Sequence, residues 1–168
     1  MRFGLFVPQG WRHDLVGIAP AAQWATMSGL AAHADAGTWE SIWVYDHFHT
    51  VPVPSVQATH EAWSLISAFA ATTKRVRLGQ MCTCMSYRNP GYLAKVATTA
   101  DIISGGRIEM GIGTPEQIVE RLTAMKKRGL GYAIHYFPEA AYDRSGIELF
   151  EREVMPALNS ASTLSSRS

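Results

Sequence analysis

Ile103-Ser-Gly-Gly-Arg-Ile-Glu-Met-Gly-Ile-Gly-Thr-Pro-Glu-Gln117 carries the punctuation of one complete structural unit. Adjacent Gly105 and Gly106 stop the helix that precedes them, because glycine readily takes the left-handed conformation that closes a helix. Arg107 to Ile112 is a short, largely apolar run of the kind that forms a buried strand. Thr114-Pro115-Glu116-Gln117 then has capping-box form: the Thr hydroxyl and the Gln side chain can satisfy amides at the start of a new helix. The stretch reads as helix, strand, helix.

The same punctuation recurs in both directions. Upstream, Arg2 to Val7 is a strand closed by Pro8 and Gly10, and Pro20 opens a helix with Trp24, Met27, Leu30 and Ala31 at helical spacing up to Gly37. Ser41 to Tyr45 is a second strand. The loop from Phe48 to Ala58 contains Pro52 and Pro54 and is excluded from regular structure. Thr59 is predicted to cap a helix over His60 to Ala71, Val76 to Thr83 to form a third strand, and Asn89-Pro90 to open a helix through Ile103. Downstream, the helix begun at Thr114 ends in Lys126, Lys127 and Arg128, where cations suit the helix dipole. Gly131 to Phe137 is a fifth strand, and Ser145 to Glu148 repeats the capping-box pattern for a last helix to about Leu158. Asn159 to Ser168 is Ser-rich and is predicted to be a disordered tail. Five strand-helix units in succession define an α/β domain over residues 1–158 with parallel strands and right-handed crossovers.

Composition narrows the ligands. In 168 residues, 47% apolar, 15 Lys and Arg stand against 14 Asp and Glu. That balance gives no electrostatic basis for binding nucleic acid or an anionic membrane, so small molecules are the expected ligands. No run approaches the ~18 apolar residues of a membrane span. Cys82 and Cys84, two apart in a strand, would share a face at a separation that strains a disulfide. Reduced thiols and a cytoplasmic location follow as expectations.

Asp46 and His47 are the candidate catalytic residues, the alternative being a loop-anchoring Asp and a neutral His bonded to backbone. A carboxylate and an imidazole at the C-terminal end of a buried strand lie where barrel enzymes place reacting groups, and His is suited to proton transfer near neutral pH. His47, His49 and His60 lack the accompanying Cys or Glu spacing of a metal site, so no metal is expected. Arg77 and Glu109 fall in the middle of neighbouring strands. Charges buried there would need each other, which predicts an ion pair. Gly111 and Gly113 before Thr-Pro lack the rest of a nucleotide-binding fingerprint.

Trp43-Val-Tyr-Asp-His-Phe48, Thr59-His-Glu-Ala-Trp63, Arg75-Val-Arg-Leu-Gly79, Ser86-Tyr-Arg-Asn-Pro90 and Ile103 to Gly113 together resemble the luciferase-like monooxygenase superfamily, and within it the oxidoreductases that use the deazaflavin coenzyme F420. Residues 114–158, with Tyr136 to Tyr142, resemble the C-terminal end of the same family. The resemblance implies an eight-stranded parallel barrel with the cofactor at the C-terminal ends of the strands. A complete barrel takes ~250 residues, so it also implies an internal deletion at the junction of Gly113 and Thr114.

The retained strands would be the first four and the last, a partial TIM-type barrel or open sheet in the order 4-3-2-1-5. Such a sheet would have two new edges and an uncovered inner face, which a homo-oligomer would cover. By the same resemblance Asp46 and His47 lie beside the redox ring, Met81, Cys82 and Thr83 form a bulge against its face, and Gly113 touches the cofactor. The implied function is hydride transfer with F420, or alternatively FMN. Because a deazaflavin does not activate oxygen, a dehydrogenase or reductase is favoured. The alternative is a catalytically silent fragment, or a subunit that needs a partner chain to complete the barrel, because the loops that hold the cofactor phosphate fall in the missing part.

Overall fold

The computed structural model describes residues 2–110, 132–135 and 140–156. Five strands form one sheet: β1 (Arg2–Phe6), β2 (Ser41–Tyr45), β3 (Arg77–Met81), β4 (Ile108–Met110) and β5 (Tyr132–His135). Its order is β4-β3-β2-β1-β5, the order expected from the sequence, and every pairing is parallel. Crossover helices α1 (Pro20–Ala36), α2 (Ala62–Thr72) and α3 (Pro90–Ser104) join the first four strands. A final helix, α4 (Ser145–Leu149), continues through a π turn at Phe150–Val154.

Alternation along the strands sorts the side chains. Leu5, Ile42, Val44 and Leu78 are buried among the helices, packed with Leu30, Trp39, Ile66 and Phe69. Gly4, Phe6, Ser41, Trp43, Tyr45, Arg77, Gly79 and Glu109 share the opposite face, as the register Gly4–Ser41–Arg77 and Phe6–Trp43–Gly79–Glu109 requires. The indole of Trp43 lies across two glycines. A Cβ at Gly79 would sit 2.2 Å from Trp43 Cε3, and one at Gly4 would sit 2.8 Å from its Nε1. The Nε1–H donates to Ser41 Oγ at 2.6 Å.

This face is not bare at its centre. Phe6 is 5% and Trp43 7% exposed, so the uncovered inner face expected from a missing wedge is not what forms there. Large rings set against glycine, with Phe6 stacked on Tyr45 at 4.2 Å, fill the space. Arg77 and Glu109 do form the expected ion pair, but their side chains are 39% and 44% exposed. The burial expected for these charges is not what forms, and water reaches this pair. Its worth falls to about 1 kcal/mol or less.

Two arginines close the other end of the sheet. Arg75 donates to the carbonyls of Ala34, Gly37 and Trp39 while the Asp35 carboxylate accepts from the amides of Lys74, Arg75 and Val76, tying the end of α1 to the entry of β3. Arg107 does the same for α2, donating to the carbonyls of Ala70, Thr73 and Val76. Carbonyls left over at a helix end are thereby satisfied by the next strand.

Several boundaries move for local reasons. α2 begins at Ala62 because the Glu61 carboxylate, not Thr59, caps it, accepting from the amides of Trp63 at 3.1 Å and Ser64 at 2.7 Å. His60 therefore precedes the helix. At the last helix Ser145 is the first helical residue and not the cap; Arg144 stands at the cap position, and Asp143 before it accepts from the Ser145 amide and hydroxyl, each at 2.8 Å. β3 ends at Met81, so Cys82 and Cys84 lie in the following loop and not on one strand face. The Cys84 amide donates to the Asp46 carboxylate at 2.9 Å instead of to a strand neighbour. α3 starts from Asn89 and ends at left-handed Gly105, as expected. The helix predicted from Thr114 and the tail from Asn159 fall outside the described residues.

Gly79→Ala is expected to destabilise the protein by ~1 to 3 kcal/mol, because the indole of Trp43 is rigid and held on both sides. Urea denaturation checks this. An unchanged midpoint would show that Trp43 does not pack against Gly79.

Candidate functional site

Parallel strands gather their C-terminal loops at one end, and three of those loops are bound into a single structure. Gln9, after β1, is fully buried, and its side-chain amide donates to the carbonyls of Tyr45 at 2.8 Å and His60 at 2.6 Å. Its Oε1 accepts from the Tyr45 amide at 2.9 Å. One glutamine thus closes the end of β2 against the loop that leads into α2. Asp14 turns the first loop back by accepting from the Gly10 amide at 2.6 Å.

Asp46 is at the centre of the second connection. Its carboxylate takes both guanidinium ends of Arg88, at 2.6 and 2.7 Å, as well as the Cys84 amide. The Asp46 side chain is 0% exposed and that of Arg88 8%. Arg88 also binds Glu61, the cap of α2. A fork-shaped guanidinium with two carboxylates joins the loops after β2 and β3 to the start of α2, and those carboxylates hold its pKa above the ordinary value. Phe48 lies over the guanidinium at 5.6 Å and stacks on Tyr87 at 4.3 Å.

His47 is different. It is half-buried, its ring is parallel to that of Trp11 with centroids 4.3 Å apart, and no hydrogen bond reaches it among the described residues. Burial and the neighbouring His49 keep its pKa below the ordinary imidazole value, against the pull of Asp46. A neutral imidazole with unengaged nitrogens is able to accept a proton.

The remaining expected site residues divide. Met81 and Cys82 are half-buried at the end of β3, opposite Tyr45 in register, and burial raises the Cys82 thiol above its ordinary pKa. Such a thiol is a poor nucleophile. Thr83 is buried with its hydroxyl bonded to Gln80, which leaves the shape of the loop as its contribution. Gly113 lies outside the described residues. The three histidines do not combine: His60 bonds to Gln23 at 2.7 Å, His49 is exposed, and no group of three metal-binding side chains occurs among the described residues. Arg88, Glu61, Gln9 and Trp11 carry no role in the sequence reading. Arg88 and Glu61 stand inside the quoted Ser86–Pro90 and Thr59–Trp63 motifs, beside helix starts, and that position was the available signal.

Parallel strands with crossover helices on one face and polar side chains collected at the strand ends define part of a (β/α) barrel of the enzyme type. The chain belongs to the luciferase-like monooxygenase family, whose family model matches residues 1–128. It is 32% identical over 111 residues to a phthiodiolone/phenolphthiodiolone dimycocerosates ketoreductase of Mycobacterium kansasii, covering 56% of this chain and 30% of the relative. It is 33% identical over 93 residues to an F420-dependent glucose-6-phosphate dehydrogenase of Amycolatopsis mediterranei, covering 54% and 27%. The chain thus spans about three-tenths of the length of these relatives.

Among solved structures, its fold is similar to that of a monooxygenase from Streptomyces bottropensis (TM-score 0.56, 23% identity, 71% of this chain and 36% of the other). It is also similar to the oxygenating constituent of 3,6-diketocamphane monooxygenase of Pseudomonas putida in complex with FMN (TM-score 0.54, 22% identity, 77% and 32%). No described helix is long and apolar enough to cross a membrane.

Glu61 supplies a pH test. Burial pushes its pKa up, but the Ser64 amide and hydroxyl, Arg88 and the Trp63 amide outweigh that and leave it below the ordinary 4.5. A depressed carboxylate stabilises the fold above its unfolded value, and that stability is lost as pH falls through the folded value. Glu61→Gln is expected to flatten the fall in the urea midpoint below pH 4.5. An acid profile parallel to that of the unaltered protein would contradict the role given to Glu61.

Proposed function

We propose that this chain is the F420- or flavin-binding part of an oxidoreductase that transfers hydride, with His47 as the group that takes or returns the accompanying proton. The observation that carries this reading is His47 itself: a half-buried imidazole, its pKa lowered by burial, without a hydrogen-bond partner among the described residues, at the C-terminal end of β2 and next to the loop after β3. Asp46, engaged by Arg88 and the Cys84 amide, fixes the loops on either side. A deazaflavin is favoured over FMN because relatives at about a third identity include an F420-dependent dehydrogenase.

The residues present fit the ring better than the rest of such a cofactor. Half-buried Met81 and Cys82, with Thr83 holding the loop in shape, offer a surface for a flat ring beside His47, and Gly113 is proposed as a further contact. The cofactor supplies a two-electron hydride carrier when bound. Its anionic part meets a sparser set: Arg88 is already taken by two carboxylates, while Arg12, exposed above Trp11, has no carboxylate partner among the described residues. The chain is read as lacking the central wedge of the family barrel at the junction of Gly113 and Thr114, in keeping with β5 lying beside β1.

A second reading is favoured by the sheet edges. β4 and β5 each have a partner on one side only among the described residues. A second copy that pairs there would complete the barrel, and a monomer would then be silent.

Loss of two charge-assisted hydrogen bonds to a phosphate, at ~1.5 to 3 kcal/mol each, weakens binding at least a hundredfold. Fluorescence titration of the verified monomer with F420 is therefore expected to give a Kd in the high micromolar range, and His47→Ala to lower turnover more than affinity. Submicromolar binding would show the missing loops to be unnecessary. Absence of any spectral response to F420 or FMN, in monomer or dimer, would overturn the reading.

A further inference from the structure

Among the described residues, the His47 imidazole is positioned without hydrogen bonds. Two rings hold it: Trp11, parallel at 16° with centroids 4.3 Å apart, and Tyr45, tilted at 5.9 Å. Trp11 is itself fixed. It is 7% exposed, it contacts Tyr45 at 4.7 Å, and its carbonyl accepts from the Val51 amide at 2.8 Å, which ties the loop after β1 to the loop that carries His47. We propose that Trp11 is a positioning residue of this site, setting both the orientation and the protonation of His47 by covering one face of its ring. The inference rests on the reading of His47 as the proton-handling group and names the residue through which the fold controls it.

Two effects of an indole on an imidazole oppose each other. Covering a ring face removes water and disfavours the imidazolium, whereas the π cloud attracts a cation by ~0.5 to 2 kcal/mol. Here the Arg12 guanidinium already lies 5.2 Å from the same indole, so a protonated His47 would be a second cation on one ring. Desolvation wins. The other groups around His47 are Tyr45 at the end of β2 and Asp46 just after it, with Arg88 bound to Asp46, His49 in the same loop, and Cys82 beside Tyr45. Asp46 raises the imidazole pKa and His49 lowers it, and neither contact depends on Trp11.

The test is an NMR pH titration of the histidine ring protons in the cofactor-free full chain, so failure of F420 to bind would bear on the proposed function and not on this inference. In the unaltered protein the His47 ring protons are expected to be shifted upfield by the indole, to show Overhauser contacts with it, and to titrate below the ordinary imidazole value. Trp11→Ala should abolish the upfield shift and move the midpoint up towards the ordinary imidazole value, with the midpoint of His60 unchanged. Trp11→Phe, which keeps a flat apolar face, should restore most of both. A midpoint unmoved in Trp11→Ala, or equally displaced in Trp11→Phe, overturns the proposal. If Trp11→Ala does not fold, absence of the His47–Trp11 Overhauser contacts in the unaltered protein overturns it equally.

Discussion

The organisation of the candidate site depends on one buried charge pair, Arg88 with Asp46. Neither side chain has appreciable access to water, so each charge is tolerable only because the other is present, with the Cys84 amide on one carboxylate oxygen and Glu61 on the guanidinium. Removing Arg88 would leave the Asp46 carboxylate in a dry place with the Cys84 amide alone, and removing Asp46 would leave the guanidinium with Glu61 alone. What the pair holds is the relative position of three segments: the end of β2, the loop after β3 and the first turn of α2. His47 follows Asp46 directly, and Cys82 and Thr83 come just before Cys84. The groups that would meet a ring are therefore placed by a carboxylate whose oxygens are already spoken for.

That division of labour separates two adjacent residues which look equivalent in the sequence. Asp46 and His47 both sit at the end of an apolar strand, and both are of the chemical types used in proton transfer. Among the described residues, the structure gives Asp46 three hydrogen bonds to protein groups and gives the His47 side chain ring contacts only. A charged group committed to a buried pair stabilises loops. An imidazole packed by flat surfaces leaves its nitrogens unengaged among the described residues. On the opposite end of the sheet Arg75 and Arg107 have a purely architectural counterpart of the Arg88 role, binding helix-end carbonyls to the next strand.

Much of the fold was legible locally, because apolar runs, Pro20, Asn89-Pro90 and Gly105-Gly106 mark strand and helix limits without reference to the rest of the chain. The Arg77–Glu109 contact was legible too, since two lone charges on adjacent parallel strands have few other partners, although its exposure was not. Three kinds of feature escaped. Long-range polar contacts leave no periodicity: Arg88 reaches Asp46 across 42 positions, and Gln9 reaches Tyr45 across 36. Competition between neighbouring caps was decided by reach, which favoured Glu61 over Thr59. The way Trp43 fills the sheet face needed Gly4 and Gly79 to be read together as one seat, although a glycine inside each of two apolar strands was a hint of close approach.

The central claim is that Arg88 and Asp46 act as a unit that builds the site, and a double-mutant cycle on stability measures it most directly. Asp46→Asn, Arg88→Met and the double variant would be compared by urea denaturation. The account predicts that Arg88→Met alone costs ~3 kcal/mol or more, that the double variant is no worse than this single one, and that the coupling between the two positions is ~2 kcal/mol or larger. Additive effects within ~0.5 kcal/mol would contradict it, because the two side chains would then be contributing independently.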